Sequence, residues 1–257
     1  MVLLYANGSM SEWASPYFER GYGQRWGVLP VTELVRRDAA CLWDRLQLSP
    51  GRHVADLGCG HGRYALALAE RGADVVGVDF AASLLRDAKQ LGLTADLRPQ
   101  WVRGDIRRVA LRRSCCDAVV VMDAFGFFEG EDENERVLAE AARILVPGGR
   151  LALKVVNGEP ILASFRHADR EERDGVVVTV SRSLMLEPPR MLERVAVSGS
   201  RGSGQYERRQ RLYSAEELAA MASRAGFTIV GLFADACGAV FEPTVSASTW
   251  VIGQSAK

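Results

Sequence analysis

Three glycines stand on alternate positions between a short apolar run and a helical pattern. They are Gly58, Gly60 and Gly62, and Asp56 lies just before them. Glycine permits positive φ angles and close backbone approach, and a helix N-terminus offers free N–H groups to an anion. Loops that bind the pyrophosphate of a dinucleotide have the spacing G-x-G-x-x-G, which differs from the spacing here. Because a carboxylate would repel a pyrophosphate, Asp56 favours a ligand with a cationic end, such as an ammonium or a sulfonium.

Two further acids follow apolar, strand-like runs. Asp79 ends the second run, where a carboxylate can accept hydrogen bonds from both hydroxyls of a ribose. Phe80 comes next and is placed to cover an adenine face. Asp105, followed by Ile106, ends the third run, where its carboxylate can accept from an adenine amino group. Two structural interpretations remain open: Asp105 as a turn cap, and Asp56 as a brace for the glycine loop.

The elements that position these residues follow a regular rhythm. From Leu48 to Val156, short apolar runs alternate with stretches of helical periodicity, which is typical of a parallel sheet with helices on both faces. After Asn157 the apolar residues alternate with polar ones, which predicts an insertion of two to four antiparallel strands. The predicted strands are 54–57, 74–79, 100–103, 117–122, 150–156, 175–183, 192–198, 227–233 and 248–252, and the predicted helices are 63–71, 81–91, 131–145 and 214–226, the last with a capping box of Ser214 and Glu217.

Composition excludes several classes of protein. The chain has 257 residues, 48% hydrophobic and 25% charged, with 32 basic and 32 acidic residues. That balance is ordinary for a soluble globular protein, and a duplex nucleic-acid binder usually has a basic excess. The five cysteines show no CxxC spacing, so the sequence predicts neither a disulfide framework nor a zinc site. It therefore predicts that the protein works in a reducing cytoplasm.

Together these elements resemble the class I S-adenosylmethionine-dependent methyltransferases. The resemblance rests on the Asp56 glycine loop, on Asp79 and Asp105, on the strand ending at Asp123, and on Pro147-Gly-Gly before the next strand. It implies an α/β fold: a Rossmann-like, doubly wound seven-stranded sheet with an inserted small antiparallel β region. The implied cofactor is S-adenosyl-L-methionine, with S-adenosyl-L-homocysteine as product. The predicted cofactor-binding residues are Asp56, Gly58, Cys59, Gly60, Asp79, Phe80, Asp105, Ile106 and Met122.

A finer resemblance is to small-molecule methyltransferases, including those of bacterial natural-product pathways. It implies an N-terminal helical lid and substrate segment (1–47), a cofactor-binding core (48–156), an inserted antiparallel β region for substrate or dimer contact (157–213), and a C-terminal helix with closing strands (214–257). The Asp/Asn-Pro-Pro-Tyr/Phe motif of many enzymes that methylate amino groups of nucleic acid and protein is replaced by Asp123-Ala-Phe-Gly. The predicted substrate residues are Tyr17, Tyr22, Phe125, Phe127, Phe128, Arg211 and Tyr213.

The sulfonium of such a cofactor already activates its methyl group, so a strong base is optional. Asp123, His167 and Tyr206 are the candidate catalytic groups, and the sequence does not choose among them. The predicted function is methyl transfer to nitrogen or oxygen of a small metabolite, without nucleic acid, membrane or metal, by a monomer or homodimer. The alternatives are an RNA or protein methyltransferase, a nicotinamide-dependent oxidoreductase, and a catalytically silent cofactor-binding subunit.

Overall fold

The computed structural model describes residues 14–256, so the first 13 residues of the predicted N-terminal unit and Lys257 lie outside the described part. Most of the chain folds into a seven-stranded sheet flanked by helices, and one insertion forms a second, four-stranded sheet. The helices are α1 (Ala14–Pro16), α2 (Tyr22–Trp26), α3 (Glu33–Arg45), α4 (Arg63–Ala69), α5 (Ala82–Thr94), α6 (Glu131–Ile144), α7 (Gly158–Ala163) and α8 (Ala215–Arg224), and a π-helical turn, Tyr17–Gly21, joins α1 to α2. The strands are β1 (His53–Leu57), β2 (Asp74–Asp79), β3 (Gln100–Arg103), β4 (Cys116–Met122), β5 (Leu145–Val156), β6 (Ala168–Arg173), β7 (Val176–Leu186), β8 (Pro189–Gly199), β9 (Gly204–Arg211), β10 (Phe227–Phe233) and β11 (Ser248–Ser255).

The large sheet has the strand order β3-β2-β1-β4-β5-β11-β10. The first five strands pair in parallel, whereas β11 runs antiparallel to both of its neighbours. The central strand β4 is buried on both faces because helices cover both sides of the sheet, which explains its continuous apolar run. The chain passes from β1 to β2 on one side and later returns to β4 on the other. Open α/β sheets bind ligands at such a switch point, outside the carboxyl ends of the strands.

The inserted region is a four-stranded antiparallel sheet in the order β6-β7-β8-β9. Its inner face carries five buried valines from β7 and β8, and these pack against Tyr17 of the π-helical turn. The predicted α/β architecture with an inserted antiparallel region is therefore confirmed. The predicted capping box of Ser214 and Glu217 is also present at the start of α8.

Two features differ from the sequence-based expectations. Strand β5 begins at Leu145 directly after α6, so the predicted Pro147-Gly-Gly turn lies within the strand, and the pairing with β4 shifts register there. The prediction that the cysteines form no disulfide is wrong: Cys41 and Cys237 are bonded, with Cα atoms 4.9 Å apart. Their positions are 196 residues apart in the chain, so only the tertiary fold brings them together. The cysteine pattern consequently no longer supports a reducing compartment.

Residues 14–256 contain neither a membrane-spanning helix nor a cluster of metal-ligating side chains. No helix there has the length and apolar character needed to cross a bilayer. No group of three or more potential metal-ligating side chains occurs in the same part of the chain.

Candidate functional site

A deep cleft lies outside the carboxyl ends of β1, β2 and β4, with an empty volume of about 960 Å³ that includes its open mouth. The structure brings all nine predicted cofactor-binding residues to its wall. Three of the predicted substrate residues, Tyr22, Phe127 and Phe128, and one predicted catalytic residue, Asp123, line the same cleft. Their individual roles remain predictions, but their convergence makes this cleft the candidate active site.

The glycine loop needs glycine for two separate reasons. Gly58, Gly60 and Gly62 all have positive φ, at 75°, 53° and 72°, where other residues are strained. A Cβ on Gly58 would lie 2.3 Å from the Cβ of Ala124, and a Cβ on Gly62 would lie 2.3 Å from the ring of Trp101. Around Gly60, in contrast, the nearest atom to such a Cβ is 4.0 Å away. The outer glycines therefore permit close packing, and the middle one leaves open space beside the loop.

Asp56 is buried with one carboxylate oxygen left without a partner. Its Oδ2 accepts a hydrogen bond from the backbone N–H of Ala65 at 3.2 Å, so it also braces the first turn of α4. Its Oδ1 is buried and has no partner within the described residues. Burial, together with a smaller contribution from the nearby charge of Asp79, raises the pKa of Asp56 to about 7. A buried, unpartnered carboxylate oxygen on a cavity wall calls for a hydrogen-bond donor, and a cationic donor fits it best.

Asp79 links the glycine loop to the turn that follows β2. Its carboxylate accepts from the N–H of Gly60 at 2.8 Å and from that of Ala81 at 2.9 Å. Burial raises the pKa of Asp79 to about 6, although these backbone N–H groups oppose the shift. Each carboxylate oxygen keeps a further acceptor site, so Asp79 can brace the loop and still accept from a ligand in the cleft.

Asp105 is held by an arginine that the sequence reasoning missed. Arg107 donates to both carboxylate oxygens, with Nε 3.1 Å from Oδ1 and 2.9 Å from Oδ2, and it also pairs with Glu133 of α6. The same guanidinium lies 4.6 Å from the ring centre of Phe128. Much of the acceptor capacity of Asp105 is therefore used in tying the loop after β3 to α6, which favours the structural interpretation of this residue.

The other end of the cleft is marked by Asp123, the first residue after β4. Its backbone has a positive φ of 57°, an uncommon conformation that aspartate tolerates better than most residues. Its carboxylate forms an ion pair with Lys154 of β5, with Nζ 2.6 Å from Oδ2. The side chain of Asp123 is 44% exposed, so the ion pair orients the carboxylate without enclosing it.

The N-terminal helical segment, residues 14–26, covers part of the cleft. Phe18 contacts Phe80 and Phe127 edge to face, with ring centres 5.8 and 5.4 Å apart, so its ring bridges two walls. Tyr22 lies 5.7 Å from the ring of His61, and burial raises the pKa of the Tyr22 hydroxyl. Tyr22 is among the predicted substrate residues, whereas Phe18, from the same aromatic segment, is not.

Two charged or titratable residues near the loop complete the wall. His61 is buried, and burial lowers the pKa of its imidazole, so the ring is neutral at pH 7. Arg63, the first residue of α4, lines the cleft and is half-buried. Within residues 14–256, no hydrogen bond or ion pair involves its guanidinium. The sequence reasoning gave Arg63 no role in binding. Its position directly after the last glycine of the loop is the signal that could have indicated one.

Four predicted substrate residues lie away from the cleft. Tyr17 is 1% exposed among the valines of the inserted sheet. Phe125 is equally buried and packs on Tyr213, whose hydroxyl donates to Glu131 at 3.2 Å. Arg211 pairs with Glu131 at 3.1 Å and with Glu217 at 2.5 Å. The structure thus gives Tyr17, Phe125, Arg211 and Tyr213 packing and ion-pair roles, because the region after β4 turns inward and the end of β9 docks on α6 and α8.

Two predicted catalytic residues also lie elsewhere. His167 is exposed beside β6, with its ring edge-on to Phe165 at 5.0 Å. The hydroxyl of Tyr206 donates to Oε1 of Gln24 at 2.7 Å and so ties β9 to the N-terminal segment. Of the three candidate bases, only Asp123 lines the cleft.

Comparisons with known proteins agree with this geometry. Residues 55–153 match the family model described as a methyltransferase domain. The chain is 38% identical over 110 residues to a demethylmenaquinone methyltransferase of Thermus thermophilus, covering 42% of this chain and 48% of that protein. It is 32% identical over 107 residues to a ubiquinone biosynthesis O-methyltransferase of Coxiella burnetii, covering 42% and 44%. The matches therefore span about half the length of these curated relatives.

Solved structures match over nearly the whole chain. The CcbJ methyltransferase of Streptomyces caelestis has a TM-score of 0.77 at 21% identity, with 98% of this chain and 100% of that chain covered. The SAM-bound amino pentose methyltransferase CalS10 of Micromonospora echinaspora has a TM-score of 0.62 at 18% identity, with 98% and 100% covered. At these identities the likeness shows the fold, and it extends to the inserted sheet.

Proposed function

We propose that the chain is an S-adenosylmethionine-dependent methyltransferase, with residues 55–153, which match the methyltransferase-domain model, at its core, and that it transfers a methyl group to a nitrogen of a small molecule. One observation carries the choice of cofactor. The cleft wall presents an unpartnered carboxylate oxygen, on Asp56, and an unpartnered guanidinium, on Arg63, within the described residues. This pair of charges is complementary to an amino-acid end that carries both an ammonium and a carboxylate.

The residues present fit the cofactor that the domain implies. Asp56 would hold the ammonium, Arg63 the carboxylate, and Asp79 the ribose hydroxyls. Ile106 and Met122 would supply apolar contacts. When bound, the cofactor supplies a methyl group on a positively charged sulfur, which makes that methyl reactive toward nucleophiles.

The chain itself contributes orientation and exclusion of water. Phe18 and Tyr22 cover the cleft from the N-terminal segment, and Phe127 closes it from the side of β4. Proximity and orientation alone can contribute about 7–11 kcal/mol to lowering a barrier. Asp123 stands at the open end and accepts a hydrogen bond from the reacting group, while Lys154 holds its carboxylate in one direction.

The acceptor we propose is an amine with an apolar or aromatic body. The carboxylate of Asp123 attracts an ammonium to the open end, and the ammonium must release a proton before it can react. Because Asp123 is exposed, that proton can pass to water without a buried base. The proposal includes a role in a bacterial secondary-metabolite pathway. The named sugar N-methyltransferase KedS8 shares the fold of this chain at 20% identity and a TM-score of 0.65, and at that identity the likeness concerns the fold alone.

A hydroxyl oxygen is the second candidate acceptor. It is favoured by the relative named as an O-methyltransferase, which is 32% identical across the core of the domain. A hydroxyl would need a base to remove its proton, and of the three bases proposed from the sequence only Asp123, already paired with Lys154, lines the cleft.

The test is a transfer assay with methyl-labelled S-adenosylmethionine and matched panels of small amines and small phenols or alcohols. The proposal predicts labelled amines, detected by mass spectrometry, and strongly reduced labelling by the Asp123→Asn variant. Label in hydroxyl compounds alone would establish the second candidate. RNA and protein are added as two further acceptors, and cofactor binding without transfer to any acceptor would indicate a silent binding subunit instead.

A further inference from the structure

Glu19 stands on the N-terminal segment but hydrogen-bonds to a helix of the core. Its Oε1 accepts from the N–H of Ala82 at 3.0 Å, and its Oε2 accepts from that of Ser83 at 3.2 Å. Arg103 of β3 reaches the same carboxylate, with Nη2 3.3 Å from Oε1. One side chain therefore joins the segment to two elements of the core.

The helix that Glu19 contacts lacks its own cap. The N-cap residue of α5 is Ala81, which has no side-chain oxygen, and the first turn of α5 contains no acid. Unpaired N–H groups at a helix start are stabilised by an oxygen acceptor, and a negative charge there also interacts favourably with the helix dipole. Glu19 supplies both from a position 63 residues earlier than Ala82.

The local backbone places three consecutive side chains in three different environments. Within the π-helical turn, Tyr17 is buried against the inserted sheet, Phe18 bridges Phe80 and Phe127, and Glu19 meets α5. Isolated π-helical turns recur at functional sites. Because Phe18 and Glu19 are neighbours, the bonds made by Glu19 hold the Phe18 ring over the cleft.

The segment is also fixed to the inserted sheet. Arg201, from the turn between β8 and β9, donates to the backbone oxygens of Gln24 and Arg25 at 3.1 and 3.3 Å. Gly27 follows the segment, and its φ of 66° and ψ of −165° favour glycine. Tyr17 and Arg201 thus hold the segment to the inserted sheet on both sides of Glu19, and Glu19 joins it to the core.

We propose that Glu19 is a latch: its hydrogen bonds to α5 keep the N-terminal segment closed over the cleft, and their release lets the cofactor enter and leave. The inference rests on the proposed function for the identity of the ligand, but the closure itself is a property of the free chain. Glu19 is a positioning residue that acts through Phe18 and touches no reacting atom.

The first test uses hydrogen–deuterium exchange of the free, full-length protein. In Glu19→Ala, peptides covering residues 14–26 and 80–86 should both exchange faster than in the wild type. Glu33→Ala is the matched control, because Glu33 is an exposed acid in the first turn of α3 and does not line the cleft. Faster exchange at 80–86 alone would mean that Glu19 only caps α5, and would refute the latch.

The second test measures binding of S-adenosylhomocysteine by stopped-flow fluorescence. Loss of the latch should raise the dissociation rate constant about tenfold, the ratio expected for one lost capping interaction, and should raise the association rate constant as well. Glu19→Gln, which keeps one oxygen acceptor, should lie between Glu19→Ala and the wild type. A merely destabilised site would not bind faster, so an unchanged or lower association rate constant would overturn the proposal. If the wild type bound no S-adenosylhomocysteine, the proposed function would fail, and the exchange experiment would still decide the latch.

Discussion

The buried carboxylate of Asp56 makes cofactor affinity depend on pH in a defined direction. In the free protein its pKa is raised to about 7, first by burial. A cationic ligand interacts with the ionised form, so it binds more tightly where Asp56 has already lost its proton. Affinity must therefore fall as the pH drops through 7. Protonation of His61, whose pKa burial lowers, would act in the same direction, because a positive imidazole also repels a cationic ligand.

The magnitude follows from the two raised pKa values. If Asp56 is fully ionised in the complex, its pKa of about 7 makes the dissociation constant about tenfold larger at pH 6 than at pH 8. Asp79, with a pKa of about 6, contributes a further factor of about two. The expected total is about twentyfold, and binding near pH 6.5 should release protons to the buffer.

Calorimetric titration with S-adenosylhomocysteine at pH 6 and pH 8 measures this ratio. Repeating it in buffers of different ionisation enthalpy counts the released protons. Asp56→Asn should reduce the ratio to about two, the contribution of Asp79 alone. Asp105→Asn is the matched control, because its carboxylate lines the same cleft but is already paired with Arg107, so this variant should keep the twentyfold ratio.

The choice of ligand separates the cationic groups. S-adenosylhomocysteine has the ammonium but no sulfonium, and 5′-methylthioadenosine has neither. The second ligand should show only the twofold dependence. If wild type bound S-adenosylhomocysteine equally well at pH 6 and pH 8, without proton release, the assignment of Asp56 to a cationic group would be refuted.

Three more predictions concern single residues. Arg63→Gln should weaken S-adenosylhomocysteine binding by about tenfold or more, the effect of losing a charged hydrogen bond, while 5′-methylthioadenosine titrated in parallel binds as before; equal losses for both ligands would place Arg63 elsewhere in the cleft. Asp123→Asn should lower methyl transfer by about tenfold or more with no change in the calorimetric dissociation constant of S-adenosylhomocysteine, and a lost affinity would move Asp123 from the acceptor to the cofactor. Ser214→Ala should lower the free energy of unfolding by about 1 kcal/mol in urea titrations, because Oγ accepts from the N–H of Glu217 at 3.1 Å; an unchanged midpoint would contradict that role.

The parts of the site that lie at strand ends could be predicted from the sequence. Asp56, Asp79 and Asp123 each follow a run of apolar residues, and parallel strands bring their carboxyl ends to one edge of the sheet. Strands β2, β3 and β10 also have the predicted bounds, because their patterns are bounded by polar or turn residues.

The residues that sequence reasoning missed act through contacts between distant elements. Glu19 reaches α5, Lys154 reaches Asp123 from the next strand, and Arg107 neutralises Asp105 while joining it to α6. The contacts of Glu19 and Lys154 depend on how distant elements pack. Arg107 is only two residues from Asp105, but its link to Glu133 of α6 depends on packing in the same way. For the same reason the sequence did not predict that the fold buries Tyr213, an aromatic residue near the inserted sheet, against Phe125. Nor did it predict the bond between Cys41 and Cys237.

The central claim is that the cleft binds S-adenosylmethionine through its amino-acid end and its ribose. The most direct measurement is a calorimetric titration of the full chain at pH 8 with S-adenosylmethionine, S-adenosylhomocysteine and NADH, checked by native mass spectrometry for stoichiometry. The account predicts one equivalent of either sulfur-containing ligand, no binding of NADH, and at least tenfold weaker binding by Asp79→Ala, which loses charge-assisted hydrogen bonds of about 1.5–3 kcal/mol each. Binding of NADH with no response to either sulfur-containing ligand would contradict it.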